Sequence, residues 1–381
     1  MTDAPALSRA PVRIAPASAG RMARLAASPR FQSWAARVPV LRSFVRREGA
    51  AMFDLVAGFC HAQILQAFVA LEIPARLLSS ACTADQLAQD CGVPPDRMTV
   101  LLNGAAALGL VRYRRDGFWA LTVRGGALAG VPGLQDMIRH HAVLYRDLAD
   151  PVAFFRGEIT PELASFWPYV FGAAQADDPA TARRYSRLMA DSQQIVAADT
   201  LAAIDLRRVG TLMDVGGGTG AFLRAVAQAY PSLGLMLLDL PAVADAARQE
   251  PRNASLAARL QIIPASFRDD VLPSGADAIS LVRVLYDHSD DTAADLLARA
   301  YHALPPGGQI IVSEPMAGGS RSPNRAGDAY FALYCMAMQT GRARTPAQIA
   351  SLLSAAGFAR PCVHPARRAY ITQVVTAVKQ G

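Results

Sequence analysis

The sequence predicts a two-domain α/β protein: a helical amino-terminal part with a winged-helix outline, then a doubly wound, mostly parallel sheet. Three observations carry that reading. Apolar residues recur three and four apart from Phe31 to about Ala180, the spacing of helices. From about Ser192 short β-branched and apolar runs alternate with helical segments. The first of those runs, "TLMDVGG", ends in glycines just ahead of a helix, where a sheet of this kind holds its ligand. The 381 residues, 52% hydrophobic and 18% charged, suffice for two domains and exclude a disordered chain.

In chain order, residues 1–20 are rich in Ala and Pro without periodicity and read as a flexible tail. A helical winged-helix domain follows over 21–180, and the sheet domain over 181–381. "AAMFDLVAGFCHAQILQAFVALEI" is a helix apolar over most of its circumference, so burial against a partner subunit is expected. "TADQLAQDCGV" begins at an N-cap, Thr83; "PPDRMTVLLNGAAALGLV" is a second helix opened by proline; "RYRRDGFWALT" is a hairpin turning at Asp116-Gly117. A winged helix alone suggests DNA binding, but this second helix offers Asn103 and almost no Arg or Lys for bases or phosphates. It reads as a packing and dimerisation element, with no nucleic-acid partner.

The net charge of +7 comes mainly from arginines, many of them early, as in "RMARLAASPR" and "RVPVLRSFVRRE". They form a solvated face, or one that meets an anionic surface. No charge-free apolar run reaches the roughly 18 residues needed to cross a bilayer, and the amino terminus lacks a secretory core, so a cytoplasmic location is expected. Five scattered cysteines without C-x-x-C read as small buried hydrophobes.

In the sheet domain, "TLMDVGG", "LGLMLLDLP", "ADAISLVRVLYD" and "QIIVSEP" are strands, and "RAYITQVVTAV" is the last one. "AFLRAVAQAY", "DTAADLLARAYHAL" and "PAQIASLLSAAG" are helices. The loop "TLMDVGGGTGAFL" satisfies G-x-G-x-x-A through Gly216, Gly218 and Ala221, and equally G-x-G-x-G through Gly216, Gly218 and Gly220. The first pattern grips a pyrophosphate. Asp214, ending the strand ahead of the glycines, would repel one and favours a ligand with ammonium and sulfonium groups, such as S-adenosylmethionine. Asp239, ending the second strand, is suited to the two hydroxyls of a ribose.

"DVGGGTGAFL", "LLDLP", "ASFRDDVLP", "LVRVLYDHSDD", "LPPGGQIIVSEP" and "ARTPAQIASLLSAAGF" stand in the order and spacing of the S-adenosylmethionine-dependent O-methyltransferases of the plant caffeate and bacterial polyketide type. The chain resembles that family over its whole length. Within it, "LAASPRFQSWAARVPVLRSFVRREGAAMFDLVAGFCHAQIL" and "LYRDLADPVAFFRGEITPELASFWPYV" look like the carotenoid O-methyltransferases of purple bacteria. The resemblance implies a Rossmann-like domain with an antiparallel last strand, a winged-helix dimerisation domain and a homodimer. It also implies methyl transfer to the tertiary 1-hydroxyl of an acyclic hydroxylated carotenoid of the demethylspheroidene or hydroxyneurosporene type. The alternatives are a bacteriochlorophyllide C-20 methyltransferase and a phenolic polyketide O-methyltransferase. Intact Asp214, Gly216 to Gly220 and Asp239 disfavour a transcription regulator. "PVAFFRGEITPELASFWPYVF" suits peripheral contact with the inner face of a photosynthetic membrane.

By that resemblance Gly216 and Gly218 hold the methionine part of the cofactor, Asp239 the ribose and Leu240 the adenine edge. Ser266 and Phe267 stand where relatives have Asp-Phe beside the adenine, and Arg283 lies on the fourth strand near the adenine side. Relatives read Leu-His-Asp-Trp at the end of that strand, the histidine taking the acceptor's proton; this chain reads Leu285-Tyr286-Asp287-His288. A histidine assists ionisation of a phenol, of pKa about 10, whereas an alcohol nearer ~15.7 attacks while neutral and sheds its proton late. Tyrosine in place of the base therefore fits an alcohol acceptor. In an extended strand, residues 286 and 288 share a side, so Tyr286 would orient the hydroxyl and His288 accept its proton. Asp287 reads as a brace of the turn, and Glu314 matches the acid flanking the family's base. His141, Met189, Phe331 and Met336 are expected along the acceptor pocket. The histidines lack metal-ligand spacing, so no metal is invoked.

Overall fold

The computed structural model describes residues 20–166 and 192–381, so Met189, Trp167 and the expected domain boundary near residue 180 lie outside the described residues. The chain packs as two compact units, residues 1–65 and 66–381. In the first, α1 (Arg21–Ala26) and α2 (Pro29–Ala35) precede the long helix α3 (Pro39–Ala70), whose last residues belong to the second unit. Phe68 and Val69, at that end, are fully buried, whereas Phe53, Leu55 and Phe59 are 67%, 71% and 71% exposed. By length and composition α3 is long and apolar enough to cross a membrane, with 11% of its apolar window buried. That stretch is not free of charge, since it includes Asp54, with apolar residues continuing on both sides of it.

The second unit opens with α4 (Ile73–Ser79), α5 (Ala84–Cys91) and α6 (Pro95–Ala107), then the antiparallel hairpin of β1 (Val111–Tyr113) and β2 (Trp119–Leu121). This is the expected winged-helix outline. Thr83 caps α5 reciprocally: the Gln86 amide donates to Thr83 Oγ1 at 3.2 Å, and the Thr83 amide to Gln86 Oε1 at 2.8 Å. Gly117, with φ of 86°, turns the hairpin where Asp-Gly predicts it. Next come α7 (Val123–Gly130), α8 (Leu134–Asp147) and α9 (Pro151–Arg156), and a helix α10 over residues 192–203.

The sheet has seven strands: β3 (Thr211–Val215), β4 (Gly234–Asp239), β5 (Leu260–Pro264), β6 (Ala278–Val282), β7 (Gln309–Glu314), β8 (Phe358–Val363) and β9 (Gln373–Lys379). Their order is β5-β4-β3-β6-β7-β9-β8. β3 to β7 run parallel, and β9 pairs antiparallel with both β7 and β8. Helices α11 (Ala221–Ala229), α12 (Pro241–Gln249), α13 (Asp290–Ala303), α14 (Ala332–Ala337) and α15 (Pro346–Ala355) complete the domain. Alternate residues of β3 serve two cores: Met213 packs with Ile279 and Ile310, Leu212 with Phe222 and Ile311. Both faces are covered, which is why the central strands read as unbroken apolar runs. Two strands differ from the sequence reading. β8 carries Pro361 at the sheet edge, with an irregular register between Ala359 and Cys362, so it lacks the alternating pattern of a strand. β6 stops at Val282, well short of the apolar run that continues to Leu285.

The two ends of α3 should respond differently to truncation. Phe68→Ala should cost about 3–5 kcal/mol of stability, and Phe59→Ala within about 0.5 kcal/mol, as read from urea unfolding midpoints.

Candidate active site

The loop between β3 and α11 lies at the carboxyl end of the central strand. Gly216, Gly218 and Gly220 have φ of 71°, 57° and 82°, which side chains rarely adopt. A Cβ on Gly216 would approach Val284 Cγ2 to 2.9 Å, whereas nothing lies within 4 Å of one on Gly218, so open space faces that stretch of backbone. Asp239 Oδ2 accepts from the Gly218 amide and its Oδ1 from the Leu240 amide, each at 2.8 Å. Asp214 lies beneath the loop and accepts from the Ser280 hydroxyl at 2.6 Å. Its other oxygen would be 2.7 Å from a Cβ at Gly217, so glycine is required at that position as well.

Burial, and then the nearby Asp239, push the Asp214 carboxyl up to about 7; burial, opposed by the two amides, pushes Asp239 up to about 6. Two backbone amides and the Ser280 hydroxyl, all neutral, donate to them. Two such carboxyls under an open glycine loop fit a nucleoside ligand carrying positive charge, which S-adenosylmethionine is, and oppose a pyrophosphate.

Beyond β6 the chain turns sharply. Arg283 has φ of 60°, a conformation costing a side-chain-bearing residue on the order of 1–3 kcal/mol. Leu285–Asp287 then forms a single 3-10 turn. Two fully buried charged residues hold it. Glu314, at the end of β7, accepts from the Tyr286 amide at 3.1 Å. Arg344 donates to the Leu285 carbonyl at 2.7 Å and the His288 carbonyl at 2.9 Å, and pairs with Asp290 at 2.8 Å. Gly341 packs so closely on the turn that a Cβ would collide with the Tyr286 carbonyl.

This geometry corrects the expectation of an extended strand with Tyr286 and His288 on one side. The Tyr286 ring meets Phe331 with centroids 6.3 Å apart, and its hydroxyl interacts with Arg283 and Asp287. Burial, reinforced by Asp287, holds the phenol well above its ordinary range. His288 instead packs edge-on against Phe267 at 5.2 Å, and Arg268 donates to its Nδ1 at 2.9 Å. Burial and two arginines push it down to about 3, so the neutral ring has its lone pair engaged and its hydrogen on Nε2. A proton acceptor for the substrate is not available there.

Arg283 also departs from expectation. It lies one residue past β6, and its guanidinium donates to Ser192 Oγ at 2.8 Å and interacts with Tyr286. Ser266 donates to Asp269 Oδ2 at 2.7 Å, so its hydroxyl serves the turn after β5. Glu314 is pushed up to about 7 by burial and braces the backbone of the turn.

Around Tyr286 the structure gathers residues that sequence patterns underrated. Asp287 is buried, its Oδ1 has no hydrogen-bond partner, and burial pushes its carboxyl up to about 8. A π-helix over Arg325–Phe331 and the following α14 present Tyr330, Phe331 and Tyr334. His141 shares a 2.6 Å hydrogen bond with Tyr330, and His140 one of 2.8 Å with Tyr334. His141 and Phe331 thus join the Tyr286 cluster, while Met336 on α14 is 48% exposed. The π-turn, a common marker of functional sites, left no periodic trace in the sequence.

Residues 145–359 match the O-methyltransferase domain family. The chain is 56% identical over 356 residues to demethylspheroidene O-methyltransferase of Cereibacter sphaeroides, covering 93% of this chain and 94% of that one. It is 50% identical over 366 residues to the Rhodobacter capsulatus protein of the same name, covering 95% and 91%. Among solved structures, human N-acetylserotonin methyltransferase in complex with S-adenosylmethionine superposes with a TM-score of 0.73 at 24% identity, covering 88% of this chain and 98% of that one, a likeness of fold.

The two raised carboxyls make a pH prediction. Both sit above the ordinary value of 3.8, so the folded chain without ligand holds extra protons from about pH 4 to about pH 7. Stability from these groups therefore falls as pH rises through that window. A cationic nucleoside selects the ionised forms, so S-adenosylmethionine affinity should weaken as pH falls from 8 to 5.5, as titration calorimetry would record. A flat profile would remove Asp214 and Asp239 from the cofactor site.

Proposed function

Because this chain is a member of the O-methyltransferase family, we propose that it moves a methyl group from S-adenosylmethionine to the tertiary 1-hydroxyl of an acyclic hydroxylated carotenoid of the demethylspheroidene type. The observation that carries the substrate reading is the site at the end of β6. A buried tyrosine backed by a carboxyl stands where a base for phenols is expected, in a chain 56% identical to demethylspheroidene O-methyltransferase.

When bound, S-adenosylmethionine supplies an electrophilic methyl group on a sulfonium. Gly216 and Gly218 take its methionine part, Asp239 holds the ribose hydroxyls, and Leu240 and Phe267 border the adenine, with His288 behind the Phe267 ring. Tyr286 orients the acceptor hydroxyl, which attacks while still neutral. As the O–CH3 bond forms and the S–CH3 bond breaks, the oxygen's proton becomes strongly acidic and passes through Tyr286 to the Asp287 carboxylate. Glu314 positions Tyr286 through its amide. Phe331 and the Tyr330–His141 pair line the acceptor side.

The same reading has the winged-helix part within residues 21–180 pairing two copies as a homodimer, residues 181–381 binding cofactor, and the cytoplasmic enzyme meeting its water-insoluble substrate at the photosynthetic membrane.

Methyl-labelled S-adenosylmethionine, offered with detergent dispersions of a 1-hydroxy carotenoid, a bacteriochlorophyllide and a simple phenol, should label the carotenoid. Label confined to either other acceptor would overturn the substrate. Tyr286→Phe and Asp287→Asn should each lower turnover by about a hundredfold with cofactor affinity unchanged. Wild-type turnover should rise with pH through about 8, as Asp287 ionises, and this limb should vanish in Asp287→Asn.

A further inference from the structure

Four of the five residues from Gly216 to Gly220 are glycine, and three of those stand at positive φ. Glycine has more backbone freedom to lose than any other residue, so the shape of this loop has to be held from outside it. Its amino-terminal half is held by β4: the Gly216 amide donates to the Leu238 carbonyl and the Gly218 amide to Asp239 Oδ2, each at 2.8 Å. Its carboxyl-terminal half is held by two side chains. Arg224 on α11 donates to the Thr219 carbonyl at 2.7 Å, and Asn253, in the 3-10 turn Pro251–Leu256 after α12, donates to the same carbonyl at 3.1 Å.

The two side chains also hold each other. Arg224 donates to Asn253 Oδ1 at 2.8 Å, and Asn253 Nδ2 donates as well to the Ala247 carbonyl, at 2.8 Å, in the last turn of α12. Asn253 is buried, and it lies so near the loop that a Cβ on Gly220 would come within 3.4 Å of its amide nitrogen. An asparagine carries two donors and an acceptor on one short planar group, which closes this triangle; an ionised aspartate has no hydrogen to donate. Because α12 begins directly after Asp239 and Leu240, Asn253 ties together the glycine loop and the segment that follows β4.

We propose that Arg224 and Asn253 are a positioning pair that orders the glycine loop ahead of S-adenosylmethionine and so sets its affinity. The inference rests on the placement of the cofactor at this loop. The pair acts through the Thr219 carbonyl. When it is broken, the loop visits other shapes, and the apparent affinity falls by the fraction of time the competent shape is lost. The loop amides also become more open to exchange with solvent.

The test combines titration calorimetry of S-adenosylmethionine with hydrogen exchange of the peptide over residues 216–224 in the cofactor-free protein. In Asn253→Ala and in Arg224→Met, affinity should fall about tenfold, roughly the weight of one ordinary hydrogen bond. The loop amides should exchange about fivefold faster or more. KM for S-adenosylmethionine should rise by the same factor as the affinity falls, with KM for the acceptor within about twofold of the wild type. Asn253→Asp keeps the shape and loses the donors, so it should bind as weakly as Asn253→Ala; wild-type affinity there would assign the position to packing and overturn the proposal. Arg224→Met, at a half-buried site, carries the test if Asn253→Ala does not fold. Unchanged affinity or unchanged exchange in these variants would overturn it as well. Gly218→Val, which fills the open space beside the loop, separates the two readings. If it abolishes binding while the pair variants bind as the wild type does, the loop holds the cofactor and the pair does not set its affinity. If it also binds as the wild type does, the cofactor lies elsewhere and both readings fall.

Discussion

Glu314 and Arg344, neither exposed to solvent, hold the same short turn at the end of β6. The turn has left the sheet, so its amides and carbonyls have lost their ladder partners and need others. One carboxylate takes the Tyr286 amide; one guanidinium takes the carbonyls of Leu285 and His288. Burying these charges is costly on its own, and each is sustained by the backbone groups it satisfies and by Asp290 at the rim. Gly341 is part of the same arrangement, since only a residue without a side chain allows its strand of backbone so near the turn.

From that grip follows a division of labour. Tyr286 is turned toward the π-helix and α14, into a set of aromatic and imidazole groups linked by hydrogen bonds. His288 is turned toward Phe267 and Arg268, away from that set. A neutral, buried phenol backed by Asp287 is poorly suited to ionising an acceptor before reaction. It is well suited to aligning one whose proton leaves only as the new bond forms. The same burial that raises Tyr286 also raises Asp287 into the range where a carboxyl takes and returns protons near neutral pH.

Much of this was legible in the sequence where the cause is local. Thr83 and Thr345 each precede a helix by one residue with glutamine three places on, and both form reciprocal caps. The positive-φ glycine loop and its closure on Asp239 were legible because they depend on neighbours in the chain. The end of β6 was not legible: "SLVRVLYD" is apolar and β-branched throughout, and what breaks it is supplied by Glu314 and Arg344, distant in sequence. Gly217 escaped notice because its constraint is the Asp214 carboxyl beneath it, and the π-helix because its five-residue spacing matches no amphipathic period. The α3 surface is a different case. Its apolar residues correctly marked a helix, but composition does not say whether such a helix faces protein, a second copy or lipid.

The separation of Tyr286 from His288 is the centre of this account. The most direct test is a crystal structure with S-adenosylhomocysteine and a tertiary alcohol that mimics the carotenoid end group. The account predicts the adenine beside Phe267, on the His288 side, and the alcohol oxygen within hydrogen-bonding reach of the Tyr286 hydroxyl. An alcohol seated against His288, with Tyr286 turned away from it, would contradict the account.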